Sequence, residues 1–179
     1  EQLGFMCGIE VHQQLATGKL HSRQSGELYD VTVDTLPEDW PRFERRLRAS
    51  RGEGGAVDVA ARFESKRNRT FVYAQSPNAG LIELDEQPPV GLDQQALDIA
   101  LTVAALLESQ PVSLIQTMRK TVVDGSNTSG FQRTSLIATD GVLSTEEGPV
   151  GVDVVCLEED SARKLDTVDL PHGQQVMYN

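Results

Sequence analysis

Hydrophobic and polar residues alternate from Phe5 to Leu15. Cys7, Ile9, Val11 and Leu15 share one side of a pleated strand, with Glu10, His12 and Gln14 on the other. Lys19 to Leu36 is polar and irregular. Trp40, Phe43 and Leu47 then recur at helical spacing, with Pro41 at the first turn and Arg42, Arg45, Arg46 and Arg48 around them. Gly52 to Gly55 breaks that pattern. Ala56 to Arg67 predicts a second amphipathic helix on Val57, Ala60 and Phe63. Thr70–Gln75 and Leu81–Leu84 read as a hairpin around Pro77-Asn78-Ala79-Gly80, ended by Pro88-Pro89. Asp93 is a good N-cap for a helix running to about Ser109; its apolar residues go nearly all round, which predicts deep burial.

Pro111 closes that helix. Ser113 to Val123 predicts a strand, followed by a polar loop from Asp124 to Gly130. Thr134–Thr139, an Asp140-Gly141 turn and Val142-Leu143 make a hairpin-like unit, and Val150–Leu157 is a further strand. There is no internal repeat and no regular alternation of strand and helix. The expectation is an α+β fold, with mixed or antiparallel sheets and a few packed helices.

Composition narrows the class. With 179 residues, 39% apolar and 24% charged, the chain suits one ordinary domain or part of a larger one, and excludes disorder throughout, a collagen or a coiled coil. Twenty-seven acids against sixteen bases leave a net charge of −11, so the overall basic footprint of a free-standing nucleic-acid binder is missing. Arg outnumbers Lys twelve to four. An acidic, Lys-poor surface fits a halophilic cytoplasm, where salt screens repulsion between carboxylates. Cys7 and Cys156 belong to no Cys-x-x-Cys pair and no signal-peptide pattern precedes them, which predicts reduced thiols and a cytoplasmic location. The longest apolar stretch, Ala96 to Leu107, contains Asp98 and Thr102 and is too short and polar for a membrane span. A start at Glu1, without Met, suggests a fragment.

Three segments can carry chemistry. In Gly8-Ile9-Glu10-Val11-His12, Glu10 and His12 project from one strand face, about 7 Å apart at Cα, and suit a divalent metal or a plain solvated face. In Cys156-Leu157-Glu158-Glu159-Asp160, three acids end an apolar strand; Glu158 and Glu159 face opposite ways if the strand persists, so one of them serves a site or the run is a solvated turn. The third joins Met118-Arg119-Lys120 to a loop and strand bearing Asp124, Ser126, Asn127, Gln132 and Arg133. Gly125 and Gly130 permit bends there, neutral hydrogen-bonding groups abound, and Arg119, Lys120 and Arg133 bring positive charge. That composition suits an anion-holding loop as well as an ordinary connection. No Walker A pattern, Ser-His-Asp elbow or GxGxxG occurs. His21 and His172 lack a carboxylate at ligand spacing and read as surface residues.

Together these segments resemble the GatB/GatE family. The strand Gly8 to Leu15 is similar to the family's opening strand. Met118-Arg119-Lys120, Asp124-Gly125-Ser126-Asn127-Thr128 and Gly130-Phe131-Gln132-Arg133-Thr134 resemble its archaeal E type. So do Cys156 to Lys164, Phe43-Glu44-Arg45-Arg46-Leu47 and Glu83-Leu84-Asp85-Glu86-Gln87-Pro88-Pro89. The resemblance implies the N-terminal part, residues 1–179, of a catalytic cradle domain, with helical and tail tRNA-binding domains lying elsewhere. It implies an ATP-dependent ligase that phosphorylates the Glu side chain of Glu-tRNA(Gln) and amidates it to Gln-tRNA(Gln), with ammonia from a D-type partner protein (GatD). It implies Mg²⁺, or Mn²⁺, on Glu10, His12 and Glu159, with Glu158 as the other acidic candidate and a further acidic ligand beyond Asn179. Lys120 and Arg119 would neutralise phosphate oxygens, and Asp124, Ser126, Asn127, Gln132 and Arg133 would position nucleotide or aminoacyl end. The rival readings are a metal-dependent hydrolase using Glu10, His12 and Glu159 on water, and a non-catalytic binding fragment.

Overall fold

The computed structural model describes residues 4, 7–46, 51–84, 86–121, 131–160 and 162–179, without the side chains of residues 60, 64, 120, 121 and 131. Among the described residues, eight strands and two helices run in the order β1 (Arg42–Arg46), α1 (Val59–Ser65), β2 (Arg69–Ala74), α2 (Gln94–Leu106), β3 (Gln110–Pro111), β4 (Thr117–Thr121), β5 (Phe131–Thr145), β6 (Gly148–Asp160), β7 (Lys164–Leu170) and β8 (Gly173–Tyr178). One sheet has the order β1-β2-β8-β7, antiparallel except for the parallel β2–β8 pair. In the other, β5 pairs with β3 and β4 along one edge and with β6 along the opposite edge, all antiparallel. This is the α+β mixture that the lack of βα alternation predicts. Among the described residues, no helix is long and apolar enough to cross a membrane.

Helix α2 starts where Asp93 predicts: its carboxylate accepts the Ala96 amide at 2.9 Å. Only the stripe Ala96, Ala100 and Ala104 is buried; Leu101, Val103 and Leu106 remain exposed, so the helix is one-sided rather than deeply buried. Small residues at i, i+4 let it lie close on β5 and β6, forming a core with Leu20, Ile137 and Leu157. Strand β5 passes straight through Asp140-Gly141, which is therefore no turn. The helix end approaches there instead: the Val142 amide donates to the Leu107 carbonyl at 2.7 Å. A bulge between Leu136 and Ala138 shifts the register and lets both Ile137 and Ala138 point inward.

Other expectations are corrected. Residues 42–46 form an edge strand, not a helix, because Arg45 lies opposite Phe71 and places its guanidinium 5.5 Å from the Tyr73 ring. Trp40 is instead buried with Leu36 and Ala74. Helix α1 forms but leaves Val59 and Phe63 exposed. Residues 81–84 make turns, since β2 takes β1 and β8 as neighbours. Residues 7–15 join no ladder among the described residues, and Ile9 and Val11 stand in solvent. Strands β7 and β8 have no counterpart in the sequence reading.

Candidate functional site

The antiparallel registers place Arg119 opposite Arg133, and Arg133 opposite Glu159. These three residues thus form one row across β4, β5 and β6. Below them, Thr117 and Ser135 share a 2.7 Å hydroxyl contact. Arg119, Arg133 and Thr117 line a cleft of about 520 Å³, closed on its other side by residues 86–89. Arg45 anchors that wall, donating to the Leu84 carbonyl at 2.8 Å and to Glu86 at 2.6 Å. Arg119 and Arg133 are cross-strand neighbours by register, and an anion in the cleft would accept charge-assisted hydrogen bonds from them.

Behind the cleft lies a buried ionic cluster. Arg133 Nη1 is 4.0 Å from Glu159 Oε2, both side chains being almost wholly enclosed. His21, Glu83 and Lys19 complete the surroundings of Glu159. Burial raises the Glu159 pKa, Glu83 adds to the rise, and His21, Arg133 and Lys19 oppose it. Glu83 behaves differently. Burial pushes it up, but hydrogen bonds from Ser22 and from the Gly80 and Glu83 amides, with Lys19 nearby, bring its pKa below the ordinary value. Lys19 Nζ lies 3.7 Å from Glu83 and donates to the Asn78 carbonyl at 2.8 Å. His21 is not a surface residue: it is 3% exposed, Nδ1 lies 3.1 Å from the Val90 carbonyl, and buried Nε2 has no hydrogen-bond partner among the described residues. Its burial could not be read from spacing, because 69 positions separate it from Val90. His172 is exposed, as expected.

The other candidates separate. Strand β6 persists through the acids, so Glu158 and Glu159 face opposite ways. Glu158 accepts from Gln132 at 2.7 Å and Thr134 at 3.1 Å, and Gln132 also reaches Asp160 at 3.2 Å. Gln132 is thus on the face away from Arg133. Lys120 stands opposite Gln132 in register; its side chain lies outside the described residues, as do Asp124, Ser126 and Asn127. Glu10 and His12 pair at 3.2 Å, both well exposed. Among the described residues, no three His, Cys, Asp or Glu side chains gather to hold a metal ion. Glu10 and His12 hold each other in solvent while Glu159 is enclosed beside Arg133; as placed, the donors do not make a metal cage.

Comparison with known proteins bears on the whole arrangement. Residues 5–179 match the family described as the GatB/GatE catalytic domain. The chain belongs to that family. The E-type protein of the glutamyl-tRNA(Gln) amidotransferase of Pyrococcus furiosus is 46% identical over 179 residues, 99% of this chain and 27% of the relative. The Thermoplasma acidophilum protein of the same name is 43% identical over 172 residues, covering 96% and 27%. That of Methanocaldococcus jannaschii is 43% identical over 182 residues, covering 100% and 27%. This GatB/GatE chain therefore spans about a quarter of the length of those relatives.

Proposed function

We propose that this chain is the N-terminal part of the catalytic domain of a glutamyl-tRNA(Gln) amidotransferase, and that the Arg119–Arg133 cleft receives an anionic group of its reaction. The carrying observation is two arginines paired in register on adjoining strands and lining one cleft. The reaction brings a Glu side-chain carboxylate onto the γ-phosphate of ATP. An oxygen–phosphorus bond forms and ADP leaves; ammonia then displaces phosphate from the acyl phosphate to give the amide. Both partners of the first step are anions, so catalysis depends on fixed positive charge where negative charge accumulates. Arg119 and Arg133 supply it from the cleft, and buried Glu159 holds the Arg133 guanidinium in place. Lys120 is assigned a phosphate oxygen; Asp124, Ser126, Asn127 and, from the strand face away from Arg133, Gln132 are assigned the nucleotide or aminoacyl end.

The cytoplasm, ATP and a D-type partner protein delivering ammonia belong to the same proposal. The same proposal puts Mg²⁺ or Mn²⁺ on Glu10, His12 and Glu159, with Glu158 as the other acidic candidate; among the described residues these donors are not gathered. Relatives named for glutamyl-tRNA(Gln) support this reading over a metal-dependent hydrolase. The test is Gln-tRNA formation from Glu-tRNA, ATP and an ammonia source by the complete protein. Activity lost without ATP supports the assignment; water-only hydrolysis that ignores ATP overturns it.

A further inference from the structure

The cleft that Arg119 and Arg133 line is not uniformly basic. Glu86 lines it too, on the side away from the strands. Its side chain is 60% exposed, so a ligand in the cleft can reach the carboxylate. Arg45 holds that carboxylate in place: one guanidinium nitrogen donates to Glu86 Oε1 at 2.6 Å and to the Leu84 carbonyl at 2.8 Å. The same guanidinium lies 5.5 Å from the centre of the Tyr73 ring, so the anchor is itself set against β2. An ionised carboxylate has about four acceptor positions, and the bond from Arg45 leaves others for a ligand. Next to Glu86 along this wall, Pro88 and Pro89 have ring-fixed φ and no amide N–H, so the wall is stiff and brings no backbone donor at those positions.

Fixed positive charge on one side and a fixed carboxylate on the other suit a ligand that carries both signs. A nucleoside polyphosphate matches the Glu86 side poorly, because like charges meet there. A free amino acid places its α-carboxylate beside its ammonium and brings an anion to Glu86 as well. An aminoacyl ester does not. Its α-carboxyl is esterified, its α-amino group is free, and a glutamyl side chain ends in a carboxylate. The cleft volume of about 520 Å³ has room for one such residue.

We propose that Glu86 is a specificity-determining residue: it receives the α-amino group of the glutamyl ester while Arg119 and Arg133 receive the side-chain carboxylate. This assignment rests on the reading that the protein acts on Glu-tRNA, and it makes the reacting carboxylate the anionic group that the cleft takes. An N–H of the amine donates to Glu86, and the guanidiniums donate to the carboxylate oxygens. Holding the residue at both ends sets the direction of its nucleophilic oxygen.

The test uses the complete protein with ATP and an ammonia source. It compares Glu-tRNA(Gln) with the same tRNA carrying N-acetylglutamate, which keeps the side-chain carboxylate and loses the basic amine. Wild type should convert the acetylated substrate with a kcat/KM at least about tenfold lower. Glu86→Gln keeps a carbonyl oxygen for Arg45 and removes the charge. It should lower kcat/KM for Glu-tRNA(Gln) about tenfold and leave that for the acetylated substrate within about twofold, so that discrimination collapses. Arg119→Ala should lower both substrates alike, since both carry the carboxylate. If Glu86 only braces the wall, Glu86→Gln lowers both substrates together or neither, and either result overturns the proposal. Equal conversion of both substrates by wild type also overturns it. A wild type that makes no Gln-tRNA from Glu-tRNA(Gln), ATP and ammonia overturns the activity reading and this assignment with it; a wild type that makes it keeps that reading standing whatever the Glu86 variant does.

Discussion

Arg119 and Arg133 differ in what their loss would do. Removing Arg133 leaves Glu159 buried beside no cation on the neighbouring strand, so stability and chemistry fall together. Arg119 stands at the cleft wall, one strand further from Glu159, and is the cleaner probe. Arg119→Ala should lower Gln-tRNA formation at saturating ATP by about 10²–10³ with folding intact; near-wild-type turnover would remove it from the reaction. Lys120→Ala should have an effect of the same order, again read as Gln-tRNA formed. Glu83 makes a pH prediction. Its folded pKa is lowered, so it contributes stability above the ordinary carboxylate range and loses it as pH falls through the folded value. The stability gap between wild type and Glu83→Gln in urea titrations should thus be widest at neutral pH and narrow toward acid. A gap that widens on acidification would contradict the arrangement around Lys19 and Gly80.

At the scale of elements, the junction of α2 with β5 governs how the cleft strands are set. Gly141 lies against the end of the helix: an added Cβ would overlap Ser109 Oγ and stand 3.3 Å from the Leu107 carbonyl. Backbone on one side and a continuous strand on the other leave little room to yield. Gly141→Ala should therefore cost about 1–3 kcal/mol, a drop of several degrees in Tm by calorimetry. Gly151→Ala is the control, since nothing lies within 4 Å of its added Cβ. Equal melting of the two variants would mean that α2 does not seat on the strand in this way. The Asp140-Gly141 pair also shows how a local signal misleads. The dipeptide favours a turn, but Asp140 takes a φ of 57° inside a strand whose ladder continues on both sides.

For the whole molecule, charge is the governing quantity. A net −11 over 179 residues produces self-repulsion at low ionic strength. Between about 0.01 and 1 M salt, the Debye length falls from about 30 to about 3 Å, which removes most of that repulsion. The melting temperature should rise clearly with KCl over this range. A flat midpoint would sink the halophilic reading.

Local physics made part of the protein legible from its residues. The Asp93 cap, the stretch around α2, the strands at 70–74, 117–121 and 150–157 and the α+β class all follow from short-range pattern. Glu159 stood out as one of three acids ending an apolar strand, and Arg133 as a positive charge beside a polar loop. What the chain pattern left undecided depended on pairing. Residues 42–46 carry helical spacing, yet Phe71 and Tyr73 across the ladder make them a strand. The row Arg119–Arg133–Glu159 exists only because two registers align three strands, and the same alternation turns Gln132 and Glu158 to the opposite face. His21 came to Glu159 through a loop with no periodicity to read. Propensity and capping act over a few residues and are written locally; registers, burial and ion clusters join positions many tens of residues apart, and only the packed chain sets them.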